Sequence, residues 1–396
     1  MELINKSSAI VAKKEKFRFN LFNLGIILLI ILSQYNIAKW GASFSYIALP
    51  AILFLIGAIF TKFQIDKDSL LIFLLFAAFF VSTAVSNYVE FGREMFSFFF
   101  FCVFFVLAVS HQYTLKELRV FIIVYIIVSI TASLNICFNW VTGNFIQAWT
   151  KRSSFVLFGV TKDPNYSFAY LSPSFVLSFL IIFFTRKKSI RFLCIFNCLV
   201  TLVALLFASS RAGMLAIIIS MFVIPLFCTQ LKKKTRLLIF VTAVLVIAIG
   251  YFAIALIYND YALSRMFEDK DGAGRLVIWN YAITVFKSNP IIGGGFNAGS
   301  SVSMFYEGHA THSIFLDILC DSGVIGLFFF LIFYYKNCFW PNWDNFEFMF
   351  ILSVSVLVPL MFINGFNTTT FYFPLIMLSL FNRQLRVHDY SVILKM

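Results

Sequence analysis

The sequence predicts an all-α, polytopic helical membrane protein of about 12 transmembrane helices, N-in and C-in, with one large outer loop carrying short helices. Three observations lead there. Hydrophobic residues make up 61% of the 396 positions and charged residues only 12%, too little charge to cover a water-soluble domain of this length. The apolar residues fall in long runs that match the hydrocarbon core of a bilayer. The basic residues gather in alternate connections between those runs.

The runs lie near residues 20–37, 43–61, 69–86, 95–110, 120–138, 166–184, 192–208, 213–229, 237–257, 322–338, 346–363 and 370–382. The first follows Lys13, Lys14, Lys16 and Arg18, a pattern shared with secretory signals. After Ser33 come Gln34, Tyr35, Asn36 and Ile37, with no small-residue cleavage site, so the run reads as a retained first helix. The last run holds Pro374, which is expected to kink it. With the N-terminus inside, 21 of the 31 basic residues fall on the inner side and 10 on the outer. That bias fits the positive-inside rule, so the net charge of +13 reads as orientation and not as nucleic-acid binding. The seven cysteines form no framework. Cys194 and Cys198 lie one helical turn apart, but no histidine or carboxylate accompanies them as a metal site needs. Residues 1–396 read as a single transmembrane domain.

Two outer connections exceed a simple turn, 139–165 and 258–313, and only the 258–313 connection has the length expected of folded structure. Within it, Leu276 to Phe286 reads as a helix with Trp279, Ala282, Ile283 and Phe286 on one face. Asn289-Pro290 stops that helix, and Gly293-Gly294-Gly295 forces a turn. Trp140, Trp149 and Trp279 suit the headgroup level.

Outer basic residues are the minority and carry the first chemical signal. Arg211, in Ser209-Ser210-Arg211-Ala212-Gly213, lies between two apolar runs. It reads either as a snorkelling arginine at a helix end or as a fixed cation waiting for an anion. Arg275 follows Gly272-Ala273-Gly274 at the start of the loop helix, where a guanidinium and a helix N-terminus together suit a phosphate. Alone, it is equally a surface arginine at a bend. His309 and His312 fall three apart in the same loop and would share a face if the following helix began that early. Either imidazole suits a general base near neutral pH. A zinc pair lacks an obvious third ligand, since Asp317 is off that face. Asp163-Pro164-Asn165 reads first as a helix cap at the outer end of the sixth run and second as a substrate contact. Asp66-Lys67-Asp68 and Asp269-Lys270-Asp271 read as solvated turns.

Together these residues resemble the O-antigen polymerase and O-antigen ligase superfamily. The resemblance is carried by Gly274-Arg275, Trp279, Asn289-Pro290-Ile291-Ile292-Gly293-Gly294-Gly295-Phe296, Thr311-His312-Ser313, Leu316 and Asp321-Ser322-Gly323-Val324-Ile325-Gly326. Ser210-Arg211-Ala212-Gly213 and Asp163-Pro164-Asn165-Tyr166 are similar to two further elements of the family. Ser313 stands where asparagine is common there, and Asp317 and Asp321 stand where glutamate is common. The first 150 residues match only as a set of spans. The resemblance implies a metal-independent membrane glycosyltransferase of the bacterial inner membrane. Its donor would be an undecaprenyl-diphosphate-linked oligosaccharide, with no cofactor and with a chain-length regulator as candidate partner. It further implies Arg211 and Arg275 as cations for the diphosphate and His312 as base. Asp163, Asn165, His309 and Trp279 are then expected around the substrate. The polymerase reading is preferred on Asp163-Pro164-Asn165 and the triple glycine, with a ligase as the alternative. A lipid-linked oligosaccharide flippase would call for charges within the spans and internal repeats, and the sequence displays neither.

Overall fold

The computed structural model describes residues 19–35, 43–61, 63–86, 92–147, 152–157, 160–257, 275–299, 311–363 and 369–396. His309, Gly272-Ala273-Gly274, Asp269-Lys270-Asp271 and Trp149 lie outside the described residues. Helices occupy each of the stretches expected to span: α1 Leu21–Gln34, α2 Ser43–Phe60, α3 Ile72–Val85, α4 Arg93–Ser110, α5 Leu115–Val141, α6 Pro164–Phe184, α7 Lys188–Ala208, α8 Arg211–Phe227 and α9 Lys233–Ile257. The loop helix is α10, Arg275–Ser288, followed by α11 Ile314–Tyr334, α12 Phe346–Leu360, α13 Thr369–Leu385 and the short α14 Tyr390–Leu394. Among the described residues, 6 helical stretches are long and apolar enough to cross a membrane: Lys67–Val85, α5, α6, α7, Ile314–Phe339 and Trp343–Leu360. Shorter apolar helices are α1, Ala48–Phe60, Met95–Ser110 and α8. The chain is a polytopic all-α protein.

Helix α6 is the most enclosed of these spans, packed by α5, α7, α8, α12 and α13. Helix α9 lies to the outside against α8 and exposes Leu237, Leu238, Leu245 and Ile249, as a lipid-facing helix must. Hydrophobic burial does not hold helices together inside lipid, so polar side chains take part of that role. Asn197 on α7 donates to Ser178 Oγ on α6 at 2.9 Å. Tyr170 on α6 donates to the Ile30 carbonyl of α1 at 2.9 Å.

The hydrogen bonds sort the connections into two ends, in the grouping that span parity requires. At one end Lys162 reaches the Ser33 carbonyl of α1 at 3.0 Å. Asn139 of α5 donates to the Ser154 carbonyl at 3.1 Å, and Arg152 Nε to the Ala208 carbonyl of α7 at 2.9 Å. At the other end Arg383 pairs with Asp66 at 2.5 Å and Arg386 with Asp68 at 3.2 Å. There Thr229 N–H also donates to Glu347 at 2.9 Å. Asp66-Lys67-Asp68 is therefore no free turn. Asp66 caps the short 3-10 turn ahead of α3 through Ser69 N–H, and both acids tie that turn to the end of α13.

Two further expectations change. The connection after α5 is structured: β1 Phe145–Gln147 pairs with β2 Arg152–Ser153, and β3 Phe155–Leu157 with β4 Val160–Lys162, each antiparallel. Its polar backbone is satisfied by Asn135 and Asn139 of α5, a pairing that no local pattern announces. Helix α10 buries Ile278 and Ala282, with Val285 and Phe286 packed beside them against Cys320 and Leu316. Ile283 is exposed, so the buried stripe is rotated from the expected one.

Helix α11 is broken at Gly323, where φ is 63° and ψ −163°. The Gly293–Gly295 turn fills the break. Gly294 N–H donates to the Cys320 carbonyl at 2.7 Å and Gly295 N–H to the Asp321 carbonyl at 3.0 Å. Val324 N–H returns to the Pro290 carbonyl at 2.9 Å. The two backbones lie so close that a Cβ on Gly323 would sit 2.3 Å from the Ile291 oxygen, and one on Gly293 2.4 Å from the Ser322 nitrogen.

Two outcomes follow. In a background with all seven native cysteines replaced, a membrane-impermeant maleimide should label Lys287→Cys, exposed on α10, in intact cells and miss Lys233→Cys; the reverse pattern would invert the predicted sidedness. Gly323→Ala should lose about 1–3 kcal/mol from backbone strain alone, and more from the collision, read as a lowered melting temperature. Val324→Ala, whose N–H bond is kept, should melt near wild type.

Candidate active site at the Arg211 end

Four helix N-termini meet at one end of the bundle. Helix α6 starts at Pro164, whose missing N–H costs nothing at the first helical position. Asp163 caps it by accepting from Asn165 N–H at 2.7 Å. Helix α8 starts at Arg211, capped by Ser210 Oγ, which accepts from Gly213 N–H at 3.3 Å. The two helix starts are joined directly: Ser210 Oγ donates to Asn165 Oδ1 at 3.0 Å. Gly213 permits this approach, because a Cβ there would fall 2.6 Å from the Phe168 ring of α6. Asp163 thus serves as the cap of α6, and Asn165, through Ser210, holds Arg211 beside the start of α6.

Helix α10 brings Arg275. Its guanidinium stacks over the Phe362 ring, 5.4 Å from the centroid, at the end of α12. Its electrostatic neighbours are Arg211, Asp163 and Arg152. Burial first, then repulsion from Arg211 and Arg152, pulls the Arg275 guanidinium below its usual value, and Asp163 opposes that shift. Arginine stays charged even so. The site therefore brings two further guanidinium groups, Arg211 and Arg152, and one carboxylate, Asp163, within electrostatic reach of Arg275. Sequence reasoning misses Arg152, which lies in a loop with no periodicity. Its membership in the outer basic minority is the available signal.

His312 enters through α10. Trp279, one turn beyond Arg275, donates its indole N–H to the Thr311 carbonyl at 3.0 Å. Thr311 Oγ also bonds Asp317 on α11 and accepts from Ser313 N–H at 3.3 Å. Ser313, not a histidine, caps α11. His312 therefore precedes the helix and does not lie on its face, with a left-handed φ of 51°. A left-handed residue other than glycine is strained by about 1–3 kcal/mol, and the bonds on both sides of it hold that conformation. Trp279 acts here on the His312 segment. Among the described residues no group of three or more His, Cys, Asp and Glu side chains is placed to hold a metal.

The Lys162 ammonium, beside Asp163, donates to the Ser33 carbonyl at 3.0 Å, Gln34 Oε1 at 3.4 Å and the Gln34 carbonyl at 3.5 Å. It closes the C-terminal end of α1, where a cation is favoured. Burial nevertheless pushes its pKa down to about 7.

Residues 196–331, about a third of the chain, match the family model described as O-antigen ligase. The match runs from α7 through Arg211, α10 and His312 into α11 and supports the O-antigen ligase and polymerase superfamily. No curated protein and no solved structure matches the chain.

Lys162 generates a pH prediction. An unfolded lysine keeps its proton to about pH 10.4. Between about pH 7 and 10 the unfolded state then binds more protons than the folded one, and stability rises with pH. Lys162→Met lacks that slope. Melting curves across this range should show the wild type gaining on the variant as pH climbs, and parallel curves would refute a buried ammonium.

Proposed function

Taking the chain as a member of the O-antigen ligase and polymerase superfamily, we propose that it is a membrane glycosyltransferase. In this reading it joins lipid-linked glycan repeat units at the periplasmic face of the bacterial inner membrane, as an O-antigen polymerase. The observation that carries the proposal is the gathering of Arg211, Arg152 and Asp163 within electrostatic reach of Arg275, with His312 tethered one helical turn from Arg275. Three guanidiniums against one carboxylate leave an excess of about two positive charges, which suits a diphosphate. Four helix N-termini add partial positive charge on the same side.

The reaction needs charge stabilised on a leaving group and a proton removed from an acceptor. The donor is a glycan on polyprenyl diphosphate. As its anomeric C–O bond breaks, the electron pair passes to the diphosphate, where Arg211, Arg275 and Arg152 neutralise it. The acceptor hydroxyl of a second lipid-linked unit attacks the anomeric carbon from the opposite face and inverts it. Its proton goes to His312.

A ligase that delivers the glycan to lipid A-core would use the same groups. The description of the matched family, O-antigen ligase, favours that second reading, while Asp163-Pro164-Asn165 and Gly293-Gly294-Gly295 favour polymerisation. Deleting the gene separates the two: a single repeat on the lipopolysaccharide core marks a polymerase, and bare core with long lipid-linked chains marks a ligase.

With purified protein and lipid-linked repeat units, Arg211→Ala and Arg275→Ala should abolish polymer formation. Arg→Lys at either position should restore it only in part, because lysine lacks the bidentate fork. His312→Ala should slow transfer by roughly 100-fold or more, and the wild type should keep its rate in EDTA. Full activity of Arg275→Ala would remove the diphosphate clamp. A wild type stopped by EDTA and restored by zinc would replace the base with a metal.

A further inference from the structure

At the opposite end of the bundle, about 40 Å away along the 27 residues of α5, a cavity of about 490 Å³ opens between the α4–α5 turn and the end of α13. Two of the chain's four histidines, His111 and His388, line it. Gln112, Tyr113, Thr114, Arg383 and Gln384 share the polar wall, and leucines and a valine form the rest. No aspartate or glutamate lines it.

Each polar group has a defined state. The His111 ring stacks on Phe22 at 4.1 Å and meets Tyr113 edge-on at 4.8 Å, which fixes its plane. Among the described residues neither imidazole has a hydrogen-bond partner. Arg383 is anchored by Asp66 at 2.5 Å, and Gln384 by the Tyr113 carbonyl at 2.5 Å. Asp66 is thus committed to the guanidinium. The cavity offers imidazole and amide donors beside a fixed cation. Its other half is apolar, at the level where the helices end.

We propose that this cavity binds a phosphoryl group. Two imidazoles and a guanidinium supply donors for charged phosphate oxygens, and the carboxylates next to them, Asp66 and Glu117, stand outside the lining and are already engaged, by Arg383 and by Thr114 N–H and Asn23. The apolar half suits a phosphate carried on acyl chains, as in an anionic phospholipid of that leaflet, though a free phosphate ion presents the same oxygens. The site is separate from the arginine cluster and does not depend on the transferase reading.

The test uses the purified full chain with phosphatidylglycerol added to phosphatidylcholine micelles, and bound lipids counted by native mass spectrometry. The double variant His111→Ala/His388→Ala should hold phosphatidylglycerol about tenfold more weakly than wild type, a loss of about 1.4 kcal/mol. Lys187→Ala/Lys188→Ala, which removes two charges elsewhere at this end, should bind as wild type does. A phosphatidylglycerol complex that survives excess inorganic phosphate identifies the lipid as ligand. Displacement, with phosphate binding that also needs both histidines, identifies the free ion. Equal binding by wild type and the histidine variant overturns the site, and so does an equal loss in the lysine variant, which would mean unspecific charge attraction. Should the alanine variant melt early, His111→Gln/His388→Gln replaces it and is read in the same way.

Discussion

The carboxylate of Asp321, buried where α11 breaks at Gly323, fixes how the arginine end of this molecule is assembled. It accepts from Gly299 N–H at 2.7 Å and from Asn297 N–H at 3.0 Å. Its backbone carbonyl accepts from Ser82 Oγ at 2.6 Å and from Gly295 N–H. Ser82 Oγ in turn accepts from Gly295 N–H at 2.9 Å, and Thr83 Oγ from Phe296 N–H at 2.8 Å. A buried carboxylate costs several kcal/mol unless its lone pairs are used. Hydrogen bonds to a charged group return about 1.5–3 kcal/mol each. These bonds form only while the glycine turn is seated in the break, so α3, the turn and α11 are held as one unit. Helix α10 enters that turn and is oriented by it. Through α10 the unit sets Arg275, and through Trp279 it sets His312.

Against this scaffold the arginine cluster is a source of internal repulsion. Arg275 is half-buried beside Arg211 and Arg152, and like charges brought together out of water destabilise the state that holds them. Asp163, the Phe362 ring and the bond between Ser210 and Asn165 supply the compensation visible among the described residues. An anion entering the cluster relieves the repulsion instead of adding to it. Repulsion of this kind is tolerated at functional sites and seldom elsewhere.

Legibility in the sequence divides along the same physical line. Helices, their order and the grouping of their ends follow from apolar runs and basic residues, because a bilayer forces backbone polar groups into helices. Caps are legible for the same local reason: Asp163-Pro164 and Ser210-Arg211 are written in adjacent residues. What stays hidden depends on partners far along the chain. Ser82 and Thr83 are ordinary small polar residues in an apolar run until Gly295 and Phe296 arrive, some two hundred positions later. Arg152 shows nothing until Ala208 and Arg275 are placed. The buried face of α10 escapes a periodicity argument because it is chosen by Cys320 and Leu316 and not by the helix's own apolar stripe. Asp66 and Asp68 pass for solvated acids for want of Arg383 and Arg386.

The position of His312 shows why the distant contacts matter for chemistry. A general base must be held within hydrogen-bond reach of the proton it takes, and small displacements from a productive geometry are costly in rate. A histidine on the face of α11 would be fixed by the helix itself. His312 instead sits before the cap, in a left-handed conformation that its own side chain disfavours. Its position is set from outside through Thr311, whose hydroxyl bonds Asp317 and whose carbonyl accepts from Trp279. Trp279 belongs to the same helix as Arg275, one turn away. Base and cation are therefore spaced by a single rigid element, and a motion of α10 would carry both groups together across the substrate.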